Sequence, residues 1–163
     1  MLVIISPAKS QDFNKPVQHN ITSQHDFAAE TQQLARICAK LSLDQIKSLM
    51  QVSDKLAELN YQRYQQFSAK FDLSNSKQAL HAFTGDVYSG IDEDNYNQDD
   101  IEYAQQHLRI ISGLYGLLRP MDLIQPYRLE MKTKLASEIA QDLYVFWGDK
   151  LALAINKILV QHA

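Results

Sequence analysis

Cysteine is all but missing from this chain: one residue, Cys38, in 163, so no internal disulfide can form and nothing points to an oxidising compartment. The expected setting is cytoplasmic. Glycine (five) and proline (four) are equally scarce, which excludes collagen-like, mucin-like and loop-dominated architectures. No long hydrophobic run is present. The opening apolar stretch, residues 2–5, stops at Ser6-Pro7 and follows no basic leader, so neither a secretory signal nor a membrane partner is expected. Positive charge is in slight deficit, 16 Lys plus Arg against 19 Asp plus Glu, which argues against a protein whose whole surface binds nucleic acid.

What is present is a 45% hydrophobic content, enough for one substantial core, and an uneven distribution of charge. Residues 86–106 carry Asp86, Asp92, Glu93, Asp94, Asp99, Asp100 and Glu102 with no Lys or Arg. Residues 107–134 carry Arg109, Arg119, Arg128, Lys132 and Lys134 against Asp122 and Glu130. The acidic block reads as a solvated loop whose last members favour the positive end of the following helix. The basic block is spaced by apolar and glycine residues, so a folded scaffold can fix its charges along a cleft.

Periodicity supplies the elements. Residues 2–5 predict a strand covered on both faces and central in a sheet, with a polar loop over 6–16. Ser23, Ser42 and Ser53 predict the caps of three successive helices before residue 71. Residues 79–83 predict a second strand entering the Thr84-Gly85-Asp86 turn. Asn97 or Asp99 caps a further helix, after which 108–111 reads equally as its last turn or a third strand. Residues 143–160 predict one helix, apolar on nearly all sides and needing cover on more than one face.

Lys9 lies just past the first predicted strand, where open α/β sheets bind ligands; it reads as an anion contact or as a solvated loop residue, without the glycines of a Walker loop. Asp86 reads as a general base or, preferentially, as a carboxylate that organises Arg119 or Arg128. Gly113 and Gly116 match in part a helix-hairpin-helix, which would bring a DNA phosphate to backbone N–H groups; a strand-to-helix turn explains them as well. Arg128 beside Tyr127 suits phosphate and base contact, or a structural pair with Glu130 or Asp86. The five histidines show no metal spacing, and the carboxylates Asp92, Asp94 and Asp99 have no histidine at ligand spacing for iron. No metal or other cofactor is expected, and no catalytic residue is assigned.

Several of these segments carry a resemblance. Ile4-Ile5-Ser6-Pro7-Ala8-Lys9, Ser53-Asp54-Lys55-Leu56-Ala57, Phe83-Thr84-Gly85-Asp86-Val87-Tyr88, residues 105–131 with their GLYGLLRP and PYRLEM cores, and residues 142–149 resemble the YaaA family of bacterial peroxide-stress proteins. The resemblance is collinear over essentially the whole chain. It implies a cytoplasmic protein that limits free iron and DNA damage under hydrogen peroxide stress. It also implies an α/β fold, helices packed on a mixed sheet, with a positively charged cleft and a helix-hairpin-helix-like element binding DNA without strong sequence preference. Carried over by position, Lys9, Arg109, Arg119 and Arg128 become the candidate anion contacts, with Gly113 and Gly116 in the hairpin and Asp86 as organising carboxylate. Family members extend further, so residues 1–163 read as a single YaaA-like domain incomplete at its C-terminus, whose open strand edge and two-sided helix favour self-association. The alternative is an enzyme acting on a phosphorylated or nucleotide-like small molecule, with Lys9 and Arg128 clamping the anion.

Overall fold

In the computed structural model, which describes residues 1–135 and 141–161, the chain runs β1 (Val3–Ile5), β2 (Ser10–Gln11), α1 (Ala28–Ala39), α2 (Leu43–Met50), α3 (Asp54–Gln65), β3 (Lys77–Gln78), α4 (Ala79–Ala82), β4 (Phe83–Thr84), a 3-10 turn (Glu93–Asn95), α5 (Gln98–His107), β5 (Leu108–Ser112), β6 (Gly116–Leu118), β7 (Leu123–Ile124), α6 (Leu143–Trp147) and α7 (Lys150–Gln161). The main sheet is mixed, in the order β1-β5-β6: β1 runs parallel to β5, and β5 antiparallel to β6. The two-stranded pairs β2-β4 and β3-β7 are antiparallel. This is an α/β fold of helices packed with mixed sheets. Among the described residues no helix is long and apolar enough to cross a membrane.

Local chemistry explains the helix starts. Ser42 and Gln45 form a capping box before α2, Ser53 accepts from the Leu56 N–H before α3, and Asn97 forms a second capping box with Asp100 before α5; each satisfies N–H groups that have no partner inside the helix. Ser23 does not act this way. Its N–H donates to the Met121 carbonyl, its own carbonyl accepts from the Leu123 N–H, and its hydroxyl donates to Asp122. These bonds hold it extended beside 121–123, and α1 starts at Ala28 behind Phe27 without a side-chain cap.

Three further expectations are corrected. The strand β1 is an edge of its sheet among the described residues, with Val3 and Ile4 42% and 40% exposed; a short apolar run does not reveal how many neighbours it will have. Residues 79–82 are a single helical turn, α4, with the N–H groups of Ala79 and Leu80 donating to the loop carbonyls of Asp122 and Pro120, and only Phe83 of the predicted strand lies in one, β4. Residues 143–160 are two helices, because Gly148 adopts a φ of 46° and breaks the run. The first, α6, is capped by Asp142 and buries Leu143, Phe146 and Trp147, whereas no residue of α7 is fully buried.

The core gathers Leu34, Ile46, Leu80, Ile110, Leu114, Tyr115 and Trp147, all at or below 2% exposure. Burial of large side chains such as these, each worth roughly 1.5–3 kcal/mol, fixes the 112–130 region against the helices.

Candidate anion-binding cleft

The carboxyl end of β1 delivers Ser6, Pro7, Ala8 and Lys9 to a cleft of ≈ 330 Å³, whose opposite wall is the segment 127–132. Gln11, Ile111, Gly113 and Tyr144 complete it. A contiguous concavity of ≈ 540 Å³ shares Lys9, Arg128, Glu130 and Lys132, adds Thr133 and Lys134, and is closed by the C-terminal end of α2. Among the described residues, four cations, Lys9, Arg128, Lys132 and Lys134, therefore share a continuous surface with one carboxylate, Glu130.

Each wall is anchored from behind. The Tyr88 hydroxyl, from the Phe83-to-Tyr88 motif, donates to the Ser6 carbonyl at 2.9 Å and holds the turn that carries Lys9. The Tyr64 hydroxyl of α3 donates to the Arg128 carbonyl at 2.8 Å, and the Tyr127 N–H donates to Gln11 Oε1 at 3.2 Å. Tyr127 also pairs its hydroxyl with Ser112 Oγ at 2.7 Å. Burial pushes the Tyr127 and Tyr88 phenols far above their usual range, so both stay protonated anchors and neither serves as a base.

Lys9 is 3.3 Å from Glu130 Oε1 and its side chain is 56% exposed, so its ammonium is in part compensated and still reachable. Arg128 differs. Its Nε is buried with no hydrogen-bond partner, and among the described residues no carboxylate pairs with its guanidinium. The nearby Arg63 guanidinium, whose pKa burial depresses, is itself lowered further by Arg128. An unsatisfied buried donor beside a second cation has a large electrostatic incentive to take an anion.

The structure gathers Lys9, Arg128 and Gly113 at this cleft and leaves the other sequence candidates elsewhere. The segment 112–118 is a β-hairpin, not a helix-hairpin-helix, with Gly113 and Gly116 both buried. A Cβ at Gly113 would stand 2.2 Å from the Leu129 carbonyl, and one at Gly116 would stand 2.8 Å from the Trp147 ring. The glycines are there for close packing of the protein on itself. Gly113 lets the hairpin turn seat the segment that carries Arg128.

Arg119 pairs with Asp122 (3.1 Å), which is 1% exposed, and with Asp26 (3.2 Å). Arg109 is buried, and its Nη1 donates to the carbonyls of Gln105 and Leu108, both at 2.7 Å. These two line a different concavity together with Gln105, Gln106 and the end of α7. Asp86 is exposed, lines none of these surfaces, and organises neither Arg119 nor Arg128. Lys132, Lys134 and Tyr144 are the cleft residues that motif reasoning passed over; for the lysines the signal was the basic block 107–134.

Comparison with known proteins gives the family. A family model described as peroxide stress protein YaaA matches residues 1–163. Among similar relatives are the UPF0246 protein Shew185_1115 of Shewanella baltica strain OS185 and the UPF0246 protein Sputw3181_3112 of Shewanella sp. strain W3-18-1. Each is 50% identical over 161 residues, covering 99% of this chain and 63% of the relative. The chain thus spans under two thirds of the length of the curated relatives it matches. With a model matched from end to end and half of all positions shared with these relatives, the chain belongs to the peroxide stress protein YaaA family.

Proposed function

We propose that the chain acts in the peroxide-stress response of its family, and that it does so by holding the phosphate backbone of DNA in the cleft between β1 and the 127–134 segment. The observation that carries the DNA reading is the clustering of Lys9, Arg128, Lys132 and Lys134 on one concave surface against one carboxylate among the described residues, Glu130, with the Arg128 Nε buried and no described group bonded to it. Such contacts position a duplex without reading its sequence. The resemblance adds restraint of free iron, to which a cleft dominated by cations is electrostatically unsuited. We also propose that copies of the chain associate along the open edge of β1.

Anisotropy of a labelled duplex at 50 and 200 mM salt tests the DNA reading. Three to four phosphate contacts predict an affinity loss of about 40- to 150-fold between the two conditions. Arg128→Ala combined with Lys132→Ala should weaken binding at least about tenfold and flatten the salt slope by about two. Arg119→Ala, which touches the Asp122 pair instead, should leave the affinity alone. Binding that ignores salt, or a double variant that binds like the parent, removes the proposal.

A second reading has its own support: the inner cleft has the volume of a small-ligand site, with apolar walls and the Tyr127 and Tyr144 rings beside the cations. A phosphorylated small molecule would then raise the melting temperature in a panel of nucleotides and sugar phosphates. The proton-transfer role considered for Asp86 is not part of this reading, because Asp86 lies outside the cleft.

A further inference from the structure

We infer that His81, Glu93 and Asp94, with His19 beside them, form a binding site for a first-row divalent cation. The site shares no residue with the basic cleft. His81 belongs to α4 and is buried; Glu93 and Asp94 open the 3-10 turn. One ring nitrogen of His81 and one carboxylate oxygen from each acid lie within 4.8 Å of one another. His19, from the loop after β2, places its Nε2 3.2 Å from Nε2 of His81.

The donor set selects the kind of ion. Imidazole with carboxylate suits zinc, cobalt, iron and manganese, whereas calcium and magnesium prefer oxygen alone and soft ions prefer thiolate. At metal–nitrogen bonds of about 2.0–2.1 Å, nitrogens 3.2 Å apart subtend roughly 100°, close to tetrahedral. His19 Nδ1 accepts from the Ile21 N–H at 3.3 Å. Ligation through Nε2 moves the His19 proton to Nδ1 and gives up that long bond, so His81 is the primary imidazole and His19 the later one.

The carboxylates already gather a cation. The Lys15 ammonium hydrogen-bonds Asp94 and stands 3.8 Å from Glu93. Its side chain is 49% exposed, so it can withdraw into water when a metal enters. The loop need not follow, because Lys77 Nζ holds the carbonyls of Lys15 and Asp12 at 2.7 and 2.8 Å. Asp94 is exposed, so the cluster is reached directly from solvent, and a groove of ≈ 250 Å³ lined in part by Lys15, His19 and Lys77 opens on the His19 side. Lys15 is thus a built-in competitor for the site.

Cobalt(II) titration of the metal-stripped chain, followed by visible absorption and repeated with zinc by calorimetry, tests the assignment. One equivalent should bind, with the absorption of a four- or five-coordinate ion. Asp94→Asn and His81→Gln should each weaken binding at least about tenfold, while Lys15→Met should tighten it severalfold by removing the competing ammonium. Asp94 and Lys15 are exposed, so their variants test the site even if His81→Gln fails to fold. Absence of stoichiometric binding, or Asp94→Asn and Lys15→Met variants that bind like the parent, overturns the inference.

Discussion

His25 shows how a single buried side chain sets a pH dependence. Its ring packs edge-on against Phe71 and Tyr115, and its Nδ1 is buried with no partner among the described residues. Burial lowers its pKa to about 4, with nearby Arg119 adding to the effect and Asp26 opposing it. An unfolded histidine takes up its proton near pH 6.5, so between about pH 6.5 and 4 the unfolded chain binds more protons than the folded one. Stability is therefore full above that window and falls as pH drops through it, by at most about 1.4 kcal/mol per pH unit from this residue. Urea midpoints at pH 7 and 5 should fall less in His25→Phe than in the parent; equal slopes would remove the assignment. The same scale separates the arginines. Arg119 is paired with Asp122 and Asp26, whereas Arg128 lines the cleft with no carboxylate partner among the described residues.

At the level of elements, the hairpin β5-β6 does more for the cleft than its sequence suggested. The Ser112 hydroxyl accepts from the N–H groups of Leu114 and Tyr115, Tyr115 exchanges hydrogen bonds with Gln125, and the Trp147 indole donates to the Gly113 carbonyl. The turn is satisfied internally and pressed onto residues 129–130. Gly113→Ala should accordingly cost at least about 2 kcal/mol, since a Cβ 2.2 Å from the Leu129 carbonyl can be relieved only by backbone movement. Gly90→Ala, where an added Cβ meets nothing within 4 Å, should be neutral or slightly stabilising. Chemical denaturation of the pair checks both expectations, and comparable losses at the two positions would contradict the packing role given to Gly113.

For the whole molecule, the question is what covers its open faces. The outer edge of β1 has no strand beside it among the described residues, and Val3 and Ile4 are exposed along it; the helix α7 adds exposed Leu153, Leu159 and Val160. Sedimentation at low and high micromolar concentration should detect association, and Ile4→Lys, a charge placed on the edge, should suppress it. A monomer at every concentration would refute the proposal. At this scale the division between sequence and structure is also clearest. The sequence by itself determined what depends on neighbours a few residues apart: the caps at Ser42 and Ser53, a third cap narrowed to Asn97 or Asp99, the α/β class, the basic block 107–134 and the family motifs. Tertiary structure decided what depends on partners far along the chain: that β1 is an edge, that Ser23 is tied to Asp122, that Arg109 and Arg119 leave the cleft while Lys9 and Arg128 share it, and that His81 meets Glu93 and Asp94. Backbone propensity and capping act through local hydrogen bonds and are written in local order. The pairing of a charge is set by whichever group the folded chain brings within a few ångströms, and no local pattern carries that distance.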